Sequence, residues 1–304
     1  MQSKHVLLVV LVVLGLILPF FLSDYQIHVA IVSFYYVMLT AAWNMLAGRA
    51  AIFSLGVHAL AGLAAYASAL SNIYLGIPLW MSIPLGVATA AMLSLFLATI
   101  TLRMKGIYLA LTTWAFAEIS RLVISVEYQI TRGDLGLQTA LIFSLQDIIK
   151  YYYLFFALMT AMVAFLYFFM NSPYGLFVWA TGQDATAASA SGINVYRWRI
   201  TATVITGVVA GVAGAFYGHY IGVLAPSIMG FHEMATIIMM AIIGGFGNLF
   251  GAVIGALTLE ILLESFRVYR EWRLVVFAVA VLITMRVYRE GLVGLLKKYN
   301  VLLK

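Results

Sequence analysis

Recurring apolar segments constrain the fold of this chain more strongly than any other feature. They follow one another along its whole length, and each is about 17–25 residues long, which is enough to cross a hydrocarbon core of about 30 Å as an α-helix. A transmembrane β-barrel would show alternating segments of about ten residues instead. Composition agrees, because 64% of the residues are hydrophobic and 9% are charged, whereas soluble domains carry about 25% charged residues. The sequence therefore predicts an all-α, polytopic helical membrane protein.

The hydropathy pattern predicts about 8–10 transmembrane helices, some of them interrupted, in a single domain that covers residues 1–304. The predicted spans are 6–22, 27–46, 50–71, 79–102, 106–126, 150–170, 200–224, 231–247, 249–265 and 272–288. The first of them follows a positive residue but no A-x-A cleavage site follows it, so it is predicted to be an uncleaved span and not a signal peptide. The sequence "GGFGN" (244–248) predicts either a tight turn at the membrane surface or a re-entrant feature.

The basic residues predict the orientation of the chain. Lys and Arg concentrate in the stretches that a cytoplasmic N-terminus would place inside, which favours cytoplasmic location of both termini by the positive-inside rule. The cluster Arg267, Arg270 and Arg273 opposes this arrangement. If residues 231–265 cross the membrane once and not twice, that cluster moves inside and the C-terminus moves outside. Since this bias explains the formal charge of +6, no nucleic-acid binding is predicted.

Several classes of chemistry find no support in the sequence. The chain has no Cys, which excludes thiolate metal sites, Cys nucleophiles and disulfides. Its histidines have no spacing typical of metal ligands, so no metal site is predicted. It also lacks a GxxxxGK[ST] phosphate-binding loop, so any ATP must be hydrolysed by another chain. Glu260 and Glu264, one helical turn apart, leave open a membrane enzyme that binds a cation.

The connection 171–199 is unusual because it contains the small and polar sequence "GQDATAASASGINVYRWR" (182–199). Pro173 and Gly175 are predicted to stop the preceding helix. Asp184 is predicted to cap a short helix across "ATAASAS", and Gly192 to end it. Because small side chains let another surface approach closely, this helix is predicted to dock a cytoplasmic partner. An interfacial helix without a partner is the alternative.

Five motifs in the same order resemble the permease family of branched-chain amino acid ABC importers, in particular its LivM-like subunits. They are "WNMLAGRAAIFSLGVHALAGLAAY" (43–66), "LRMKGIYLALTTWAFAEI" (102–119), "TRGDLGL" (131–137), "SPYG" followed by "SGINVYRWR", and "GVAGAFYGHYIGVLAPSIMGF" followed by "IIGGFGNLFGAVIGA". Together they cover most of the chain. The resemblance implies a multi-pass subunit of the bacterial inner membrane that imports branched-chain amino acids by alternating access.

The resemblance also implies the partners of the chain. These are surrounding membrane lipid, a second, LivH-like permease, two cytoplasmic ATPase subunits and a periplasmic substrate-binding protein. ATP is then used by the partner subunits, and this chain is no enzyme and carries no cofactor. The docking helix becomes the coupling helix that sits in a cleft of the ATPase, with these contact residues: Asp184, Ser191, Gly192, Ile193 and Asn194.

Departures from the family pattern leave the substrate open. The pattern's Gly-Gln is Ala51–Ile52 here, and its His falls on Val57, one residue before His58. Positions that are usually basic in the coupling loop are Leu176, Trp179 and Gly182, and a frequent acid is replaced by Thr236. Urea, short amides, other amino acids or small carboxylates are therefore alternative substrates. A channel or carrier that works without an ATPase is a further alternative.

Candidate residues of the translocation path are Ser54, Gly56, His58, Tyr66, Thr112, Thr113 and Glu118. Each also has a structural explanation. The small residues of 54–66 either allow close helix packing or form an unwound stretch whose backbone faces a substrate. The threonines either bond to carbonyls of their own helix or face the path. Glu118 either acts in transport or forms a structural ion pair with Arg121, three residues along the helix.

Overall fold

The computed structural model describes residues 15–101, 103–104, 106–144, 146–265, 291–292 and 294. Its helices are α1 (Asp24–Gly48), α2 (Val57–Leu75), α3 (Leu79–Thr101), α4 (Ile107–Val126), α5 (Tyr128–Thr131), α6 (Ile148–Asn171), α7 (Pro173–Gln183), α8 (Ala185–Ala190), α9 (Val195–Ile221), α10 (Phe231–Gly244) and α11 (Leu249–Ser265). Short 3₁₀ helices cover Leu18–Phe20, Gly133–Leu135 and Pro226–Met229. The predicted span 272–288 and residues 6–14 of the predicted first span lie outside the described residues.

Five helices of the described part are long and apolar enough to cross a membrane, namely α1, α3, α4, α6 and α9. They correspond to the predicted spans 27–46, 79–102, 106–126, 150–170 and 200–224. A sixth crossing is added if α10 and α11 count together as one bent span. The all-α, polytopic membrane fold with an interrupted helix is thereby confirmed.

The centre of the fold is formed by α1, α2 and α9. In α1, 78% of the most apolar stretch is buried inside the protein, compared with 17% in the peripheral α6. Helices α2 and α9 pack backbone against backbone, since a Cβ added at Gly214 would lie only 2.0 Å from the carbonyl oxygen of Ala61. Such close contact through small residues is typical of membrane helices, which gain little hydrophobic energy from associating in lipid.

A two-stranded connection closes the end of the fold that is opposite to α7. Strand β1 (Leu137–Gln138) pairs antiparallel with β2 (Val223–Leu224), with Leu137 opposite Leu224. The Thr139 hydroxyl donates to the carbonyl oxygen of Gly218 in α9 at 2.8 Å. These bonds hold the 127–147 connection against the end of α9.

The second predicted span begins later than expected. Residues 50–71 were predicted to form one span, but α2 begins only at Val57, and residues 49–56 are not helical. We call residues 49–56 the inner segment. It folds back along α1, because the Trp43 indole donates to the carbonyl oxygen of Ser54 at 2.8 Å. Non-helical backbone is tolerated at membrane depth where protein surrounds it, and its apolar side chains make it indistinguishable from a helix by hydropathy.

The predicted spans 231–247 and 249–265 form a bent pair and not two full-length crossings. Helices α10 and α11 have 14 and 17 residues and meet at an angle of 117°. The bend at Gly245–Asn248 lies against the end of α1, whereas the other end of α11 returns to the start of α1, where the Tyr25 hydroxyl donates to Glu264. The sequence "GGFGN" forms the bend itself, and whether this bend lies at the membrane surface or belongs to a re-entrant feature stays a prediction.

Candidate functional site

The chain turns sharply between α6 and α7. Helix α6 ends at Asn171, which confirms the predicted stop at "NSPYG". The Ser172 hydroxyl then accepts a hydrogen bond from the Gly175 amide at 3.3 Å, and Pro173 occupies the first helical position, where its missing N–H has no helical partner to lose. The same residues that stop one helix therefore start the next, α7, which the sequence analysis treated only as a connection.

The short helix predicted between Asp184 and Gly192 is confirmed. The Asp184 carboxylate accepts hydrogen bonds from the amides of Thr186 at 2.8 Å and Ala187 at 3.0 Å. The chain leaves α8 through Gly192, whose φ of +81° lies in the left-handed region that favours glycine. Asn194 caps the following helix, because its side chain accepts from the Arg197 amide at 3.0 Å.

The surface of α8 is small and open. Ala188 is buried, whereas these residues are exposed: Asp184, Thr186, Ala187, Ser189, Ala190, Ser191, Gly192 and Asn194. Ile193 is half-buried. All five predicted coupling residues therefore border one accessible surface. Helix α7 adds exposed apolar side chains beside it, with Leu176 57% and Trp179 44% exposed.

Helix α7 connects this surface to the end of α1. A Cβ added at Gly182 would lie 2.1 Å from the carbonyl oxygen of Arg49, so the two backbones are in direct contact. The Arg199 guanidinium also donates to the carbonyl oxygen of Thr181 at 3.2 Å. No side chain fits at position 182 unless one of the two backbones moves.

The inner segment leads from this contact to the start of α2. The Leu55 amide donates to the Thr113 hydroxyl of α4 at 2.9 Å, and the Gly56 amide lies 3.3 Å from the Ser54 hydroxyl oxygen. His58 follows in the first turn of α2 and is 1% exposed. Its Nε2 lies 2.9 Å from the carbonyl oxygen of Met229. Ser54, Gly56, His58 and Thr113 are thus brought together.

A small cavity with aliphatic side chains and hydroxyl groups in its lining borders this junction. Its volume is about 10 Å³, which is roughly the space of one water molecule. Hydroxyl groups dominate its polar lining, from Ser54, Thr101, Thr113, Thr203 and Thr206. The four threonines donate to carbonyl oxygens of their own helices, so their oxygens keep acceptor capacity toward the cavity.

The other candidate path residues lie apart from this junction. The Tyr66 hydroxyl donates to the carbonyl oxygen of Leu224 at 3.1 Å, which ties α2 to β2. The Thr112 hydroxyl donates to the carbonyl oxygen of Tyr108 at 2.8 Å, the back-bonding that the sequence analysis gave as its structural explanation. Glu118 forms an ion pair with Arg121.

The Glu118–Arg121 pair lies on the open side of α4. Arg121 Nε donates to both carboxylate oxygens at 3.1 Å, and the side chains of Arg121 and Glu118 are 28% and 34% exposed. The surrounding surface of this helix is apolar and exposed, with Leu111, Ile119 and Leu122. Helix α4 therefore presents an ion pair on a face that is otherwise suited to lipid or to another protein.

Asn44 is a buried polar residue that is not among the predicted site residues. Its amide nitrogen donates to the carbonyl oxygens of Asn248 at 2.8 Å and Gly245 at 3.3 Å. Its amide oxygen accepts from the Gly247 amide at 2.8 Å. A signal was available, because a polar side chain inside a predicted span must find hydrogen-bond partners in the protein.

The part of the chain that the structure describes holds no group of three or more His, Asp or Glu residues suited to a metal ion. Glu264 accepts from Tyr25, and Glu260 is buried in the same helix.

A strained residue in the inner segment allows a first prediction. Ala51 has a φ of +52°, a conformation that costs a non-glycine residue about 1–2 kcal/mol. Ala51→Gly should remove this strain. Glycine also makes the unfolded chain more flexible, which lowers the free energy of unfolding by about 0.4–1 kcal/mol and offsets part of the gain. We expect the free energy of unfolding to rise by up to about 1 kcal/mol, measured by thermal or denaturant unfolding in detergent.

The matched control is Ala190→Gly, at an exposed helical position without positive φ. This substitution should destabilise the protein by about 1 kcal/mol. A loss of stability in both variants would contradict the proposed strain at Ala51.

Comparison with known proteins identifies the family. The family described as "Branched-chain amino acid transport system / permease component" matches residues 25–285. The permease protein LivM of the high-affinity branched-chain amino acid transport system of Escherichia coli (strain K12) is 25% identical over 95% of this chain and 75% of its own length. LivH of the same organism is 34% identical over 44% of each chain.

More distant relatives have other names. The guanosine ABC transporter permease protein NupQ of Bacillus subtilis (strain 168) is 24% identical over 59% of this chain and 62% of its own length. No solved structure matches the chain. Because the family match spans most of the sequence, the chain belongs to the family of permease components of branched-chain amino acid transport systems: it is a multi-pass membrane permease of a bacterial ABC importer, it works in a complex with other transporter subunits, and those subunits hydrolyse the ATP.

Proposed function

We propose that this chain forms one half of the transmembrane pathway for branched-chain amino acids in an ATP-driven importer. A LivH-like permease forms the other half, two ATPase subunits bind at the cytoplasmic side, and a periplasmic binding protein delivers the substrate. The names of the LivM and LivH relatives support this substrate and this pairing. The single domain of residues 1–304, with its coupling loop 171–199, is part of the same proposal.

The exposed surface of α8 carries this proposal. ATP is hydrolysed by other subunits, so its energy must enter this chain through a contact between proteins. Helix α8 is capped at Asp184, ends at Gly192, and presents small side chains that allow close approach. Helix α7, which directly precedes α8, lies against the end of α1 through the contact of Gly182 with Arg49. A force applied to α8 is thereby passed to the membrane helices.

Cross-linking tests the coupling role of α8. Because the chain has no Cys, Ser191→Cys introduces its single thiol at the exposed end of α8 and can be cross-linked to co-expressed ATPase subunits. Ser144→Cys, at an exposed position in the connection on the opposite side, is the control. We expect a specific cross-link from position 191 and none from position 144.

ATP hydrolysis by the purified complex then tests the substrate. Binding protein loaded with leucine, isoleucine or valine should stimulate hydrolysis, and the same assay with urea, short amides and other amino acids tests the alternatives. If position 191 cross-links to no ATPase and the chain transports solute alone, the channel replaces the importer half.

The open face of α4 supports a place for the second permease. Charged groups within a membrane span are costly when they face lipid, yet the Glu118–Arg121 pair is about one-third exposed in the isolated chain. The exposed surfaces of α3 and α6 are mainly apolar between the helix ends, with residues such as Met92, Phe96 and Phe168, which suits contact with lipid. We therefore place the second permease against α4 and the translocation path beside Glu118.

Replacing Glu118 by Gln is expected to lower uptake by each assembled complex by about tenfold, since loss of one charged hydrogen bond costs about 1.5–3 kcal/mol. The measurement is uptake into proteoliposomes, divided by the amount of assembled complex. Glu127→Gln, at an exposed position just after α4, is the control and should retain uptake. Poor assembly with normal uptake per complex would show that the ion pair is structural.

A further inference from the structure

The first turn of α2 holds buried hydrogen-bond donors. Val57, His58 and Ala59 are 1%, 1% and 0% exposed, and Gly56 provides no side-chain cap. The Leu60 amide donates to the carbonyl oxygen of Gly56 at 3.1 Å. The three amides before it have no acceptor among the described residues. As the start of a 19-residue helix, this turn also carries the positive end of the helix dipole.

His58 adds a buried acceptor at the same place. A carbonyl oxygen only accepts, so the bond to Met229 places the proton of the neutral ring on Nε2 and leaves a lone pair on Nδ1. Nδ1 is buried and has no partner in the described part of the chain. Because Nδ1 is bonded to the ring carbon next to Cβ, it lies beside the backbone of its own turn. Buried polar groups are nearly always hydrogen-bonded, so this turn lacks a partner that both donates and accepts.

The surroundings of the turn indicate how a ligand reaches it. Ser54, Val57 and Thr113 line the cavity of about 10 Å³, which has room for one water molecule but not for an amino acid. Helix α4 closes this side through the bond from Leu55 to Thr113. Glu118 lies on the same helix, five residues after Thr113. The described conformation is therefore closed to an amino acid, and binding at this turn would require α4 to move away from it.

We infer that the first turn of α2 binds the head group of a zwitterionic α-amino acid during transport. The carboxylate accepts from the amides of Val57, His58 and Ala59, and the ammonium group donates to His58 Nδ1. This inference rests on the proposed function. A neutral amide also offers donors and acceptors, but it lacks the negative charge that the start of a helix favours.

Two variants of His58 that differ only in charge test the inference. His58→Asp places a carboxylate beside the three amides, where it competes with the carboxylate of the substrate, whereas His58→Asn has the same size and no charge. In the complete importer, leucine uptake per complex should be at least about tenfold lower in the Asp variant than in the Asn variant, as expected for loss of charged hydrogen bonds. Equal uptake by the two variants would overturn the inference and leave His58 with a packing role.

A labelling experiment covers the case in which the Asp variant does not assemble. Ser54→Cys provides a single thiol in a chain without Cys, at the edge of the cavity. Saturating leucine should slow its reaction with a small, membrane-permeant thiol reagent several-fold in the working importer. Ser120→Cys on α4, half-buried and outside the cavity lining, should react at an unchanged rate. Unchanged labelling of position 54 during leucine transport would overturn the inference.

The unaltered importer separates this inference from the proposed function. If loaded binding protein does not stimulate its ATP hydrolysis, the proposed function fails before the variants are compared. If stimulation and leucine uptake are normal but neither His58 nor Ser54 responds as described, only the head-group site fails.

Discussion

Asn44→Ala is expected to lower the free energy of unfolding by about 2–4 kcal/mol. Three hydrogen bonds to the bend between α10 and α11 are lost, and each contributes about 0.5–1.5 kcal/mol. The carbonyl oxygens of Gly245 and Asn248 keep the backbone donors Asn248 and Ala252, whereas the Gly247 amide loses the acceptor that the buried Asn44 side chain provides. The bend sets the angle between two helices, so the variant should also assemble poorly with its partner subunits. Thermal unfolding in detergent and the yield of assembled complex measure the two effects.

Asn72→Ala is the matched control for this prediction. The Asn72 amide makes one hydrogen bond, to the carbonyl oxygen of Ile77 at 2.8 Å, in a half-buried position. Its loss should cost only about 1 kcal/mol. If the two variants unfold at the same temperature, Asn44 does not hold the bend.

Hydropathy correctly predicted the helices that consist of one continuous apolar stretch. Helices α1, α3, α4, α6 and α9 were placed within a few residues, because each is a continuous apolar stretch of sufficient length. The predicted start of α2, at residue 50, was wrong because residues 49–56 are not helical. The inner segment satisfies its backbone through Trp43 and Thr113, and such distant partners leave no periodic pattern in the sequence.

In the candidate site as well, features that neighbouring residues determine were predicted, whereas contacts between distant residues were not. Local signals placed α8 correctly, since Asp184 and Gly192 act on the backbone next to them. The family was identified from motifs and is confirmed by the match to residues 25–285. In contrast, the contacts of His58 with Met229 and of Gly182 with Arg49 join residues far apart in the chain. A carbonyl oxygen is available at every residue, so the sequence carries no sign of which one is used.

These distant contacts form a continuous connection from α8 to the start of α2. Helix α8 follows α7, α7 touches the inner segment at Arg49, and the inner segment reaches α4 through Leu55 and Thr113. Each of these connections is a backbone contact or a hydrogen bond. Because close-packed protein interiors are hardly compressible, such contacts transmit a displacement from one segment to the next. A movement of the proposed ATPase contact would therefore reach the buried first turn of α2 along this route.

Gly182→Ala is expected to break that route at its tightest point. The added methyl group would lie 2.1 Å from the carbonyl oxygen of Arg49, and neither backbone can yield without moving α7 away from α1. We expect a loss of about 1–3 kcal/mol in the free energy of unfolding, the usual cost of overpacking, and a lower number of leucine molecules imported per ATP hydrolysed. Gln183→Ala, exposed at the end of the same helix, should change neither quantity. Unchanged uptake per ATP in Gly182→Ala would mean that force from the ATPase reaches the membrane helices by a route other than the inner segment.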